Sequence, residues 1–506
     1  MGPLDGLLFG FSVALTPGNL VACLVGVAAG SLVGVLPGIG PNAGMALLLP
    51  LTFSLPPESA LIMLAGIYYG AMYGGSTTAI LLNLPGEAAS VVTAIDGYQM
   101  AKKGRAGAAL SISAIGSFVA GSVGVIGIIL VGSWLANLAL RFGPPEYCAL
   151  ALLGLVCLCR LSGGSFRVAM LMTALGLAIG TVGIDPVTGS QRFTFGYVRL
   201  AQGIDLVPVI MGLYGVAEVL VIVQQGIQKV QVTSVRLRDL LPTWLEAKLS
   251  AWPIVRGSVI GFLVGLIPGP ATVMSTFISY AFERRISRAP ERFGHGAIEG
   301  VAGPESANNA ATAGAMVPLL SLGIPFAPAT AMLLSALVLH GIRPGPLLMV
   351  ERPEVFWGVV ASMYIGNFIL LILNLPLVRI FVSILQLPQH ILAAVVLLLC
   401  LVGAYSLNNS LLDLWVLAVM GAVGYWFRRI GVDPAPLVVA LVLGPLLEKT
   451  LRQALFMANG DWTYLLFRPL TAGLLLTVVL VLASSTIFRL TRRGRPATNT
   501  FREEIP

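Results

Sequence analysis

Gly34-Val35-Leu36-Pro37-Gly38-Ile39-Gly40-Pro41 is echoed 231 residues later by Gly265-Leu266-Ile267-Pro268-Gly269-Pro270. Each stretch sits inside an apolar run, about 19–54 and 257–282. Pro lacks an amide hydrogen and clashes in a helix interior, and Gly permits unusual dihedrals. A break at membrane depth frees backbone N–H and C=O groups that lipid cannot satisfy, so it persists only inside protein or beside a watery cavity. The freed helix N-termini carry partial positive charge and attract anions. One such break reads as a kink or as close packing through small residues. Two at equivalent positions point to the midplane site of a transporter.

Around these breaks the composition is that of an integral membrane protein. Of 506 residues, 57% are hydrophobic and 10% charged, and the mean hydropathy is +0.91. Soluble proteins carry roughly 45–50% apolar and about 25% charged residues. A soluble enzyme, a disordered chain and a nucleic-acid-binding chain are therefore excluded, despite a net charge of +8. At ~20 apolar residues per span, the length allows roughly ten to fourteen membrane segments. The apolar runs are continuous, where barrel strands would alternate. The expected fold is an all-α polytopic membrane protein with two inverted-topology repeats and broken or re-entrant helical hairpins.

The repeats extend beyond the first echo. Tyr73-Gly74-Gly75-Ser76-Thr77-Thr78 followed by Asn83-Leu84-Pro85-Gly86 parallels Gly303-Pro304-Glu305-Ser306-Ala307-Asn308-Asn309 followed by Leu322-Gly323-Ile324-Pro325. The loop after the first break, Ser54–Glu58, has no base, whereas its counterpart runs from Glu283 through Arg284 and Arg285 to Arg292. Basic loops belong inside, so equivalent loops face opposite sides, the mark of an inverted repeat. The expected organisation is an N-terminal repeat over 1–224, a polar cytoplasmic connector over 225–256, a C-terminal repeat over 257–488 and a basic cytoplasmic tail over 489–506. Only about 11 residues of the run from 257 precede the second break, which predicts a half-depth hairpin with Arg256 and Arg284 on one side.

Basic residues cluster between apolar runs, from Lys102, Lys103 and Arg105 to Arg428 and Arg429 and the tail. They are read as topology and lipid contacts. No base precedes Lys102, so no cleavable signal is expected and the N-terminus is read as membrane-embedded. Cys23, Cys148, Cys157, Cys159 and Cys400, and the scattered His295, His340 and His390, have neither disulfide nor metal spacing.

Candidate binding residues follow from depth and chemistry. Backbone amides freed at the two breaks, formed by Pro37, Gly38 and Gly40 and by Pro268 and Gly269, would help hold an anion. Gly75, Ser76, Thr77, Thr78, Asn83, Ser306, Asn308, Asn309, Gly323 and Pro325 would line the site. Hydroxyls and amides replace water around a carboxylate without a full opposite charge, although Ser and Thr also back-bond within their own helix. Glu305, embedded, is a functional candidate by default. Asp96 reads as an interfacial loop acid beside a basic cluster rather than a proton carrier. The sequence has no G-x-x-x-x-G-K-[ST] loop, no H-E-x-x-H and no G-x-S-x-G elbow. No catalytic role is expected, and uphill transport would draw on an ion gradient.

The stretches Gly34–Pro41, Tyr69–Gly86, Pro304–Ala310 and Leu322–Pro325, with Asp96-Gly97-Tyr98 and Met100–Gly104, resemble the large membrane subunit of the tripartite tricarboxylate transporter family (TctA). The resemblance spans most of the chain and is densest over 30–115 and 255–346. One departure stands out: the family's Gly-Ile-Pro continues with small residues, and here with Phe326-Ala327-Pro328. The ring either biases the site toward a bulkier carboxylate or packs in the wall. The resemblance implies a multi-pass protein of the bacterial inner membrane that imports a carboxylate. It implies a small TctB-like membrane subunit and a periplasmic TctC-like binding protein as partners. It implies no cofactor, with Na+ or H+ as the coupling ion. The rival readings are a passive anion channel, an intramembrane enzyme and a non-transporting scaffold subunit.

Overall fold

A computed structural model describes residues 2–36, 40–161, 165–185, 187–225, 240–375, 377 and 389–492, without the side chains of 225, 389–392 and 484–492. Pro37, Gly38, most of the polar connector and the tail from 493 lie outside the described residues. The chain is all-α, with one two-stranded ribbon, Gly183–Ile184 against Gln191–Arg192. Among the described residues, seven helices are long and apolar enough to cross a membrane, and five shorter apolar helices accompany them.

Five helices of the first half define its frame: α1 (Pro17–Val35), α2 (Gly40–Leu48), α3 (Pro57–Leu82), α4 (Val91–Lys102) and α5 (Ala106–Gly127). The second half repeats it with α6 (Trp244–Gly265), α7 (Ala271–Ile286), α8 (Glu299–Leu322), α9 (Pro328–Leu339) and α10 (Pro353–Asn374). The first residues of α2 and α7, Gly40 and Ala271, are 231 positions apart, as the sequence echo requires. The αL residues that end α3 and α8, Asn83 (φ 57°) and Gly323 (φ 73°), are 240 apart.

The tightest packing in both halves runs through glycine. On α1, Gly26, Gly30 and Gly34 face Met63, Ile67 and Ala71 of α3. On α6, Gly257, Gly261 and Gly265 face Gly303, Ala307 and Ala311 of α8. Every one of these contacts recurs, the α1 and α6 positions 231 residues apart and their α3 and α8 partners 240. A Cβ on Gly30 would lie 2.5 Å from the Ile67 carbonyl oxygen, and one on Gly261 2.2 Å from that of Ala307. These are helix backbones that cannot step aside cheaply. Gly30→Leu and Gly261→Leu should each destabilise the fold by about 1–3 kcal/mol or more, read as lost monodisperse protein and a lowered unfolding temperature. Unchanged stability would mean that the helices do not approach this closely.

The central helices α3 and α8 are buried on all sides, from Ser59 to Leu81 and from Gly300 to Leu322. Shielded from lipid by protein, they accommodate Gly, Ser, Thr, Asn and Glu that a lipid-facing helix would not. The halves interlock, because α5 packs on α8 and α10 packs on α3.

Two expectations change here. The second hairpin does not begin at 257: α6 starts at Trp244, capped by Thr243, whose Oγ1 accepts from Glu246 N while the Glu246 carboxylate accepts from Thr243 N. Its 22 residues span about 33 Å, so α6 is longer than half the hydrocarbon and takes in 244–256 of the presumed connector. Several basic residues read as lipid contacts are internal ion pairs instead. Arg256 holds Glu283 (2.6 Å), Arg428 holds Glu218 (2.6 Å), and Arg105 pairs with Glu246.

Candidate functional site

A cavity of about 480 Å³ lies where the two halves meet. Four chain breaks line it, in pairs at equivalent positions of the two halves. Gly40, Pro41 and Asn42 open α2, and Gly269, Pro270, Ala271 and Thr272 lead into α7. Pro85, Gly86, Glu87 and Ala88 lead into α4, and Ala327, Pro328 and Ala329 open α9. Four helix N-termini therefore face one space. First-turn N–H groups have no partner within their own helix, and the aligned dipoles favour negative charge. Pro41 and Pro328 fall in first turns, where a missing N–H is least harmful.

The two later breaks are built alike. Ser90 Oγ accepts from Glu87 N at 3.4 Å, and Thr330 Oγ1 accepts from Ala327 N at 3.1 Å, again 240 residues apart. The wall also includes Tyr68, Met72, Leu158, Tyr214, Arg428 and Asp433. Arg428 brings a fixed positive charge to the cavity. Glu87 brings an acid, whose Oε1 accepts from Asn308 Nδ2 at 2.8 Å. Gly75 makes room for it, since a Cβ there would lie 2.7 Å from Glu87 Cγ.

A second polar cluster is sealed within the protein beside this cavity. Glu305 of α8, fully buried, accepts from Ser76 Oγ of α3 (2.5 Å), Ser113 Oγ of α5 (3.2 Å) and Thr93 Oγ1 of α4. One turn on, Asn309 Nδ2 donates to Ser117 Oγ (2.7 Å) and to the Glu305 carbonyl (3.1 Å).

Of the residues singled out from sequence, Gly40 and Gly269 line the cavity. Pro268 is buried beside it, and Pro37 and Gly38 lie outside the described residues. Ser76 and Asn309 belong to the sealed polar network, Asn308 donates to Glu87 of the cavity wall, and Gly75 and Thr77 are buried in α3. Thr78 and Ser306 back-bond to Gly75 and Ala302, the outcome that helix-borne hydroxyls favour. Asn83 and Gly323 are left-handed helix ends, Asn83 exposed, and Pro325 is buried outside the cavity lining. Phe326 is buried outside the cavity lining: its ring lies against Gly154 and its carbonyl accepts from Gly269 N at 3.4 Å. Asp96 is a buried loop anchor, accepting from the N–H groups of Gly294, Gly296 and Ala297 and from Tyr280 OH. Glu87, Arg428, Asp433 and Tyr214 line the cavity without having been singled out. The signal for Glu87 was its place directly after Pro85-Gly86. The five cysteines are free and buried, and no cluster of three metal-ligating His, Cys, Asp or Glu residues occurs among the described residues.

The family model described as "Tripartite tricarboxylate transporter TctA family" matches residues 20–439. An "Uncharacterized 52.8 kDa protein in TAR-I ttuC' 3'region" of Agrobacterium vitis is 48% identical over 478 residues, 94% of each chain. An "Uncharacterized protein in TAR-II ttuC' 3'region" of the same organism is 47% identical over 215 residues, 42% of this chain and 89% of the relative. No solved structure matches.

Proposed function

Because the chain belongs to the tripartite tricarboxylate transporter TctA family, we propose that it forms the translocation path of a secondary active importer of an organic di- or tricarboxylate. The observation that carries this reading is the cavity itself. Four helix N-termini, two from each repeat, converge on one space with an arginine in its wall. That arrangement suits an anion with more than one carboxylate, because each end can meet its own pair of N-termini. Its volume is in the range of small-molecule sites.

The repeat architecture supplies the mechanism. In repeat-built carriers the site stays at the repeat interface while one part moves against the other. Here the hairpins α1–α2 and α6–α7 carry two of the four breaks. A sliding, elevator-type movement of that hairpin-bearing part would expose the cavity to each side in turn. The sequence has no phosphate-binding loop, so the driving force is a sodium or proton gradient. A periplasmic binding protein delivers the substrate and a small membrane subunit accompanies the chain in the bacterial inner membrane. The positive-inside rule applied to the basic tail supports a cytoplasmic C-terminus.

Reconstitution of the chain with its small subunit in liposomes tests this. Uptake of a labelled di- or tricarboxylate should require the loaded binding protein and should accelerate when an inward sodium or proton gradient is imposed. Flux indifferent to both would identify a passive channel, and no flux from a well-folded assembly would leave a scaffold.

A further inference from the structure

We propose that Glu305 is the carboxylate of a sodium site enclosed between the two repeats. The site's role in coupling rests on the carrier reading above, but the site itself does not. Glu305 is completely buried, and no Lys, Arg or His side chain pairs with it among the described residues. An ionised carboxylate in that position requires a positive partner.

The surroundings fit one kind of partner. Hydroxyl oxygens from three helices of the first repeat, Ser76, Thr93 and Ser113, meet the carboxylate of the second repeat. Ser76 Oγ also lies 3.2 Å from the Met72 carbonyl, a second acceptor to which its hydrogen would turn once a cation takes the carboxylate. Asn309 adds an independent observation, since its Oδ1 is buried and has no hydrogen-bond partner. That assignment of the amide is settled by its other atom. Nδ2 reaches the Glu305 carbonyl, which only accepts. Residues 305 and 309 share one face of α8. An all-oxygen donor set suits a hard cation rather than a transition metal. A single carboxylate neutralises one charge, which selects a monovalent ion over Ca2+ or Mg2+.

The site is physically joined to the cavity. Ser76 bonds Glu305 while its neighbour Gly75 packs on Glu87. Asn308, beside Asn309, donates to the Glu87 carboxylate in the cavity wall. An ion bound at Glu305 pins α3, α4 and α5 onto α8 and so holds Glu87 in place.

Thermal unfolding of the purified full chain in nanodiscs tests the site without recourse to uptake, using sodium chloride against potassium and choline chloride at equal ionic strength. Sodium should raise the unfolding temperature by mass action. Glu305→Gln and the near-isosteric Thr93→Val should each weaken the apparent sodium affinity roughly tenfold or more. Ser122→Ala, whose hydroxyl only back-bonds to Phe118, should leave it unchanged. Absence of a sodium-specific shift, or an undiminished shift in Thr93→Val, overturns the proposal. A wild-type response to pH alone, lost in Glu305→Gln, would likewise overturn it and make Glu305 a proton site. A sodium shift in a chain whose flux ignores sodium gradients would keep the site and reject the coupling.

Discussion

Ala88→Trp is expected to abolish uptake and leave the fold intact. Ala88 lines the cavity and is solvent-exposed there, so a larger side chain projects into open space rather than into packed protein. An indole carries roughly 150–250 Å² of surface, a large body for a cavity of about 480 Å³. It would occupy the space in front of the α4 N-terminus. The expected loss in carboxylate uptake is ~100-fold or more, equivalent to ~2.7 kcal/mol of binding. Leu84→Trp provides the contrast. Leu84 is also exposed and lies four residues upstream, but outside the cavity lining. Uptake by proteoliposomes, alongside unfolding temperature, checks both variants. Retained uptake in a folded Ala88→Trp protein would place the substrate elsewhere.

Removing the charge of Arg428 should separate stability from function. The guanidinium lines the cavity and also pairs with Glu218, which is 5% exposed. Arg428→Gln alone leaves the Glu218 carboxylate buried without that partner, at a cost of about 3–5 kcal/mol. Joint replacement of Arg428 and Glu218 by Gln removes both charges and should recover most of that stability. Uptake should stay low in both variants, because a charge-assisted contact to an anion contributes about 1.5–3 kcal/mol, on the order of 10–100-fold. Thermal unfolding and initial uptake rates at a fixed gradient read the two effects separately. A double variant with wild-type uptake would show that Arg428 serves the fold alone.

The sequence disclosed the repeat and the two breaks because both are written in residue type. Pro and Gly inside apolar runs have few structural meanings, and their recurrence at one spacing is preserved as helix starts at Gly40 and Ala271. Facing direction was not written there. On a helix buried all round, such as α3 or α8, no polar stripe marks the functional side. Ser76 and Asn309 therefore look like ligands of the cavity, yet they enter a sealed network around Glu305, and Asn308 reaches the cavity only through Glu87. Arg428 looks like a loop charge because its partner Glu218 is distant in the chain. The start of α6 was legible in principle: Thr243 and Glu246 form a capping box three residues apart, masked by the polar composition around them.

The central claim is that both repeats bring helix N-termini to one anion-binding cavity. Protection of single engineered cysteines tests it most directly, against a background of five buried native thiols. Ala88→Cys and Thr272→Cys place one thiol from each repeat in the cavity wall, and Asn83→Cys places one on an exposed helix end outside it. Labelling by a charged thiol reagent should slow at both cavity positions when the transported di- or tricarboxylate is added, and should not change at Asn83→Cys. Labelling at Ala88→Cys and Thr272→Cys that is indifferent to the carboxylate would contradict the account.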